Sequence, residues 1–153
     1  QSTHLHLIVE VNESELDQDI RGIPVEQVLT KGELAKRALS KAMQSLLGKL
    51  AKRLNARWGR KGTVWGDRYY AAELGCPLKV KRALQYVLNN GHKHGACSEQ
   101  VDPCSSGPYF EDWEGQIPPP EESLEDRPCV PARTWLLREG WKRHGPISFP
   151  VAA

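Results

Sequence analysis

An amphipathic pattern over about residues 31–57 constrains the fold of this chain most, because it predicts one long, unbroken helix. Apolar residues recur at helical spacing and form a single core-facing surface. Thr30 is followed three residues later by Glu33, a capping-box pattern that begins many helices. The opposite face carries seven cations: Lys36, Arg37, Lys41, Lys49, Lys52, Arg53 and Arg57. The pattern therefore predicts a packed helix with a basic outer surface.

Residues 3–11 predict a strand that carries two histidines. The run is almost continuously apolar after His4 and His6, which favours burial on both faces. Because a strand repeats every two residues, both imidazoles project from the same face. Two adjacent imidazoles can hold a divalent metal, and an ordinary pair of strand histidines is the alternative.

A second helix is predicted at about residues 78–91, with Pro77 near its start and Gly91 at its end. Tyr86 and Asn90 lie one turn apart on it and share a face. A tyrosine near a bound metal can attack a phosphodiester that the metal polarises. The alternative is a core tyrosine within an amphipathic helix.

Between these motifs, residues 63–65 and 68–74 predict two short strands around the turn Gly66-Asp67. Aromatic residues interleave with cations here, and cations grip phosphates while aromatic faces stack on unpaired bases. About half of these aromatic side chains are expected to be buried, by the alternation of a strand. The aromatic residues are Trp58, Trp65, Tyr69 and Tyr70.

The net charge of +2 conceals a strong segregation along the chain. Residues 1–30 hold one Lys/Arg and six Asp/Glu, residues 31–95 hold fifteen and three, and residues 96–153 hold five and ten. A basic block between acidic segments favours a polyanionic partner such as nucleic acid. A merely solvated basic helix is the alternative.

Four motifs in this order resemble the REP-associated tyrosine transposases, a branch of the single-tyrosine HUH transposases (HUH denotes His-hydrophobe-His). The similarity covers roughly residues 1–114, with a weaker match at Thr134-Trp135-Leu136-Leu137. The four motifs are Ser2-Thr3-His4-Leu5-His6-Leu7-Ile8-Val9, Met43-Gln44-Ser45-Leu46, Arg60-Lys61-Gly62-Thr63-Val64-Trp65-Gly66-Asp67-Arg68-Tyr69 and Ala83-Leu84-Gln85-Tyr86-Val87-Leu88-Asn89-Asn90.

The resemblance implies an α+β, ferredoxin-like HUH endonuclease fold, in which helices cover one or both faces of an antiparallel sheet. In that fold the His4 strand lies inside the sheet, so we expect a fragment that lacks a preceding strand and helix. The expected organisation is a truncated transposase domain at 1–95, an acidic Pro/Ser-rich linker or tail at 96–132, and a tail with a short helix at 133–153.

The resemblance also implies a reaction. Tyr86 would cleave single-stranded or hairpin DNA at REP-like palindromic repeats and form a 5′-phosphotyrosine link, from which the strand can be rejoined. His4, His6 and Asn90 would hold Mg²⁺ or Mn²⁺. Both a monomer and a homodimer stay open. The expected DNA contacts are Lys49, Lys52, Arg53, Arg57, Arg60, Lys61, Trp65, Arg68 and Tyr69.

Three other functions are compatible with the sequence. The chain can be a catalytically silent, domesticated nucleic-acid-binding protein, or an HUH replication initiator or relaxase, although it has neither a third metal-binding histidine nor paired tyrosines in the place where those enzymes need them. It can also be a zinc module built from His92, His94, Cys97 and Cys104, for which the spacing is irregular. Tyr69 and Tyr70 are rival nucleophiles that lie outside the matching helix.

Membrane and disulfide chemistry are not expected. The sequence shows no signal peptide, no apolar run near 18 residues and no lipidation motif, so we expect a cytoplasmic, nucleoid-associated protein without a membrane partner. Four cysteines are present, none in a C-x-x-C pair, and free thiols are the prediction.

Overall fold

The computed structural model describes residues 5–11, 30–93, 95, 101–115, 117 and 129–149, apart from the side chain of Lys31. The chain divides into two units. One combines Gln1–Glu10 with Ala72–Ala153, and the other comprises Val11–Ala71. Within the described residues, none of the helices has both the length and the apolar composition needed to cross a membrane.

Helix α1, Lys31–Arg57, belongs to the Val11–Ala71 unit and confirms the predicted bounds. The predicted capping box is present. The Thr30 hydroxyl accepts a hydrogen bond from the Glu33 N–H at 3.3 Å, and the Glu33 carboxylate accepts one from the Thr30 N–H at 2.8 Å. This exchange satisfies donors at the helix start that have no partner within the helix. All seven predicted cations of the outer face are exposed.

The predicted hairpin after α1 is wrong, because residues 63–65 and 68–74 form no strands. Their side chains bond to α1 instead of pairing their backbones with each other. The Trp65 indole N–H donates to the Leu47 carbonyl at 3.0 Å, and the Tyr69 hydroxyl lies 3.0 Å from the Ser40 hydroxyl. The large side chains in this segment therefore form hydrogen bonds to α1, and their alternation does not indicate paired strands.

The other unit is built from short helical elements around one longer helix. Helix α2 begins at Pro77, close to the predicted start, but it ends at Leu88 because the chain kinks at Asn89 before a further short turn. In chain order, the elements within the described residues are α2 at Pro77–Leu88, α3 at Asn90–Lys93, a 3-10 helix at Gly107–Tyr109, α4 at Trp135–Arg138 and a 3-10 helix at Gly140–His144.

The core of this unit forms on one stripe of α2. Val80, Leu84 and Leu88 are buried at four-residue spacing and pack with Trp113, Trp141 and Ile147. The indole of Trp113 stacks on the ring of Phe149 at 4.7 Å between centroids. The described parts of the segments after residue 95, predicted from composition as a linker and a tail, thus supply half of the buried cluster.

The predicted ferredoxin-like fold with an antiparallel sheet is wrong for the described residues. Residues 5–11 contain no strand, and the one β-bridge found among the described residues pairs Trp113 with Ile147 in parallel. Residues 5–10 keep the alternation of an extended segment, because Leu5, Leu7 and Val9 are exposed while the intervening side chains are half-buried. A strand also needs a neighbouring strand to accept its backbone hydrogen bonds, and no described segment provides one.

Glu10 ties the N-terminal segment to the start of α4. Its carboxylate accepts hydrogen bonds from the backbone N–H groups of Arg133 at 2.7 Å and Thr134 at 2.8 Å, and from the Thr134 hydroxyl. Partial burial raises the pKa of the Glu10 carboxyl, but these hydrogen bonds and the Arg133 charge outweigh burial and lower it below its ordinary value.

The Glu10→Gln variant is expected to lose about 1 kcal/mol of unfolding free energy at pH 7, as for the loss of a helix cap. A lowered carboxyl pKa stabilises the fold above the unfolded-state value of 4.5, and this stabilisation disappears as pH falls through the folded-state value. Urea unfolding of wild type and variant at pH 7 and at pH 3 measures the unfolding free energy of each protein at both pH values. The difference in unfolding free energy between wild type and Glu10→Gln should be smaller at pH 3 than at pH 7. Glu73→Gln, at an exposed carboxylate of the same unit, should show no difference from wild type at either pH.

Candidate active site

Tyr86 lies on α2 and projects away from the core. It falls midway between the buried Leu84 and Leu88, so the helical repeat turns its side chain away from their stripe. The side chain is 41% exposed. This exposure excludes the alternative of a core tyrosine and leaves the phenol accessible to a substrate.

His6 lies against the ring of Tyr86. The two ring centroids are 5.0 Å apart and the planes are inclined at 87°, an edge-to-face contact. The chain therefore brings one of the two predicted metal-binding histidines to the predicted nucleophile, across 80 residues of sequence. His4, the other histidine of the motif, lies outside the described residues.

Lys93 completes the surroundings of the phenol ring. Its Nζ lies 4.7 Å from the ring centroid, a cation–π distance. The sequence motifs do not identify this lysine. It follows Tyr86 by seven residues but lies on α3, beyond the end of the helix that carries Tyr86. Arg82, one turn before Tyr86, is exposed and carries a second positive charge.

The side chain of Asn90, the third predicted metal ligand, is half-buried on α3. Its Oδ1 is fully buried, and no described residue gives it a hydrogen bond. Asn89 also has a buried Oδ1 without a described partner, but its Nδ2 donates to the Ser148 carbonyl at 3.0 Å. Leaving such an oxygen unsatisfied costs about 1–3 kcal/mol, so the Asn90 Oδ1 is a candidate ligand atom.

Next to the phenol, an open groove of about 500 Å³ runs along α2. Its charged lining is positive, which suits a phosphate backbone. The Lys81 ammonium donates to the His144 carbonyl, and Gln85 donates to the Ser148 carbonyl at 2.7 Å. These bonds hold the C-terminal segment along the helix that carries Tyr86. The residues that line the groove are Leu78, Lys81, Arg82, Gln85, Tyr86 and His144.

The structure distinguishes the aromatic residues of the Val11–Ala71 unit. Trp65 and Tyr69, both predicted DNA contacts, are half-buried and hydrogen-bonded to α1, whereas Trp58 and Tyr70 are 57% and 92% exposed. The predicted cationic contacts are all exposed. They are Lys49, Lys52, Arg53, Arg57, Arg60, Lys61 and Arg68.

A zinc module receives no support from the described part of the chain. No group of three or more His, Cys, Asp or Glu side chains there is arranged to hold a metal. His94 and Cys97 lie outside the described residues.

Cys76, Cys104 and Cys129 are exposed free thiols, which confirms the prediction for these three cysteines.

No protein-family model, curated protein or solved structure matches the chain.

Proposed function

We propose that this chain is a metal-dependent transposase that cleaves and rejoins single-stranded DNA through a 5′-phosphotyrosine on Tyr86, at palindromic repeats. The single observation that carries the proposal is the contact between His6 and Tyr86. It pairs a metal-binding type of side chain with an exposed phenol, and both residues come from motifs that resemble one enzyme family. The basic block of residues 31–95 supports DNA as the polyanion.

The donors at this site suit Mg²⁺ or Mn²⁺. In the proposal, the imidazoles of His4 and His6 and the unsatisfied amide oxygen of Asn90 would hold the ion. When bound, such an ion acts as a Lewis acid on the scissile phosphate.

Tyr86 performs the covalent step. Its Oη attacks phosphorus, the new O–P bond forms, and the bond from phosphorus to the 3′ oxygen breaks. The phenolic proton passes to solvent and the leaving 3′ oxygen takes up a proton, so the charge balances. The Lys93 ammonium, held over the ring, stabilises the negative charge that develops on the phenol. Attack by the 3′-OH of another strand on the phosphotyrosine reverses the step and joins DNA without ATP.

A covalent-adduct assay tests the proposal. The full chain is incubated with Mn²⁺ and a hairpin oligonucleotide with a single-stranded flank, labelled at either its 5′ or its 3′ end. A 5′-phosphotyrosine retains the downstream strand, so the 3′ label should enter a denaturation-resistant adduct, while the 5′ label should appear on a shorter free product. Peptide mass spectrometry should place the nucleotide on Tyr86. An adduct that carries the 5′ label, or no adduct with either label, contradicts the proposal.

Replacing Asn90 tests the metal site. Asn90→Ala should raise the Mn²⁺ concentration needed for half-maximal binding at least about tenfold, because one oxygen ligand is lost. Electron paramagnetic resonance of free Mn²⁺ measures this directly, whether or not DNA is cleaved.

Asn89→Ala is the matched control, since it removes a neighbouring amide with the same kind of buried oxygen. It should leave Mn²⁺ binding unchanged and cost about 1 kcal/mol through the lost bond to Ser148. Equal effects of both substitutions on Mn²⁺ binding would remove Asn90 from the site.

A second candidate function is DNA or RNA binding without cleavage. The observation in its favour is that the exposed cations of α1 belong to the unit that does not contain Tyr86. Binding of the labelled hairpin without an adduct, at any Mn²⁺ concentration, would favour this candidate.

A further inference from the structure

Trp58 is an exposed aromatic side chain at the end of a basic helix. It follows Arg57, the last residue of α1, and 57% of its surface is accessible. A single exposed indole is ordinary on a protein surface, so the significance of Trp58 rests on the charges and the ordered turn around it. Tryptophan offers the largest flat aromatic face among the side chains.

The turn that follows Trp58 is held by its own hydrogen bonds. Asn55 is the centre of this network. Its Nδ2 donates to the Gly62 carbonyl at 2.8 Å, and its Oδ1 accepts from Arg60 Nε at 3.1 Å. The Arg60 N–H also donates to the Asn55 carbonyl at 3.0 Å. Gly59 and Gly62 have φ values of +59 and +103, which a side chain would disfavour. The turn is therefore ordered before any ligand binds.

Arg60 is fixed by this network against the indole. Its Nη2 donates to the Thr63 carbonyl at 3.1 Å, and its guanidinium carbon lies 5.2 Å from the Trp58 ring centroid. Two of its donor nitrogens are therefore used within the protein, and the guanidinium supports the ring. Arg60, also a predicted DNA contact, thus lies over the Trp58 ring while its side chain stays exposed.

The charge around the indole indicates what covers it. Residues 31–71 hold eleven Lys/Arg and two Asp/Glu. Arg53, Arg57 and Lys61, close to Trp58 in the chain, are all exposed. An apolar partner or a lipid tail would have to desolvate these cations, whereas a nucleic acid pairs with them while one of its bases covers the ring.

We propose that Trp58 is a stacking platform for one unpaired base of single-stranded nucleic acid, with Arg57 and Lys61 contacting the adjacent phosphates. The stacked pair of Arg60 and Trp58 orients the ring before binding. The proposal shares a nucleic-acid partner with the proposed function, but it does not require that Tyr86 cleave the strand.

Binding to a labelled 12-nucleotide oligo-dT, followed by fluorescence anisotropy, tests the platform. All proteins carry Tyr86→Phe, so that cleavage plays no part. Trp58→Ala should weaken binding about tenfold, because base–aromatic stacking is lost. The dependence on salt should keep its slope, since no charge changes. Lys61→Ala should instead reduce the slope of log K against log salt by about 0.7, as expected for one lost phosphate contact to a single strand.

Two controls separate stacking from a general loss of affinity or folding. Trp135→Ala removes an indole of similar exposure, 46%, that also lies under a guanidinium, since Arg143 is 4.7 Å from its centroid. It should leave binding unchanged. Trp58→Phe should restore most of the affinity, whereas Trp58→Leu should not. Duplex DNA of the same length should bind the Tyr86→Phe parent and its Trp58→Ala derivative equally, because its bases are already stacked.

The platform is refuted if Trp58→Ala binds oligo-dT as tightly as the parent, or loses the same factor on duplex DNA. It is also refuted if the parent does not bind the oligonucleotide, or if Trp58→Ala instead abolishes self-association seen by sedimentation. The covalent-adduct assay judges Tyr86 independently, so each proposal can fail while the other stands.

Discussion

Replacing Tyr86 with phenylalanine is expected to abolish the covalent DNA adduct and to lower the rate of strand cleavage at least about 1,000-fold, the order of effect for removing a nucleophile. The substitution removes only the phenolic oxygen. The ring remains, so the edge-to-face contact with His6 and the position of Lys93 over the ring can persist. Because no core residue changes, the unfolding free energy should stay within about 0.5 kcal/mol of wild type.

The matched control is Tyr70→Phe, which removes an equivalent hydroxyl from a side chain that is 92% exposed. It should retain the wild-type rate. Single-turnover cleavage of the labelled hairpin in Mn²⁺ measures all three proteins, with anisotropy as a check that DNA still binds. Retention of the adduct in Tyr86→Phe, or its loss in Tyr70→Phe, would assign the nucleophile elsewhere and remove the catalytic role from the contact with His6.

The helices were predictable because their signals are local. The capping box at Thr30 and the 3.6-residue repeat define α1 from neighbouring residues alone. The same repeat, with Pro77 at the start, identifies α2. The kink at Asn89 was not visible, because no residue type marks it as a breaker.

The sheet was predicted wrongly because a strand depends on a partner elsewhere in the chain. The expected burial of residues 3–11 on both faces is also wrong for the described part, because Leu5, Leu7 and Val9 are exposed and only the face with His6 and Ile8 is half-buried. The alternation gives the direction of each side chain. It does not say whether that face meets another strand or a helix. Here Ile8 packs against the cluster on α2.

The site illustrates the same limit. Motif order led to Tyr86 and His6, and the structure places their rings in contact. Lys93 was missed because a lysine at a helix end is common and only its position over the ring gives it significance. Composition also failed to predict that the acidic C-terminal segments contribute to the core. A few large residues in these segments, such as Trp113, determine the packing, whereas the average polarity of the segments does not.

Trp141→Ala is expected to cost about 3–5 kcal/mol of unfolding free energy, as for other truncations of a buried aromatic side chain. Trp141 is 2% exposed, its indole N–H donates to the Leu137 carbonyl at 3.0 Å, and its ring lies 5.8 Å from that of Phe110. Alanine leaves a cavity beside the buried residues of α2, and the Leu137 carbonyl loses its hydrogen bond from the indole. For a protein of ordinary stability, about 5–15 kcal/mol, this loss is a large share.

Urea unfolding followed by circular dichroism measures the effect. Trp58→Ala is the comparison, because it removes the same side chain from an exposed position in the other unit and should cost less than about 1 kcal/mol. Since Trp141 packs on the helix that carries Tyr86, its loss should also reduce cleavage at temperatures where the variant is still folded. Similar stability of the two variants would mean that the C-terminal segment does not contribute the core around α2.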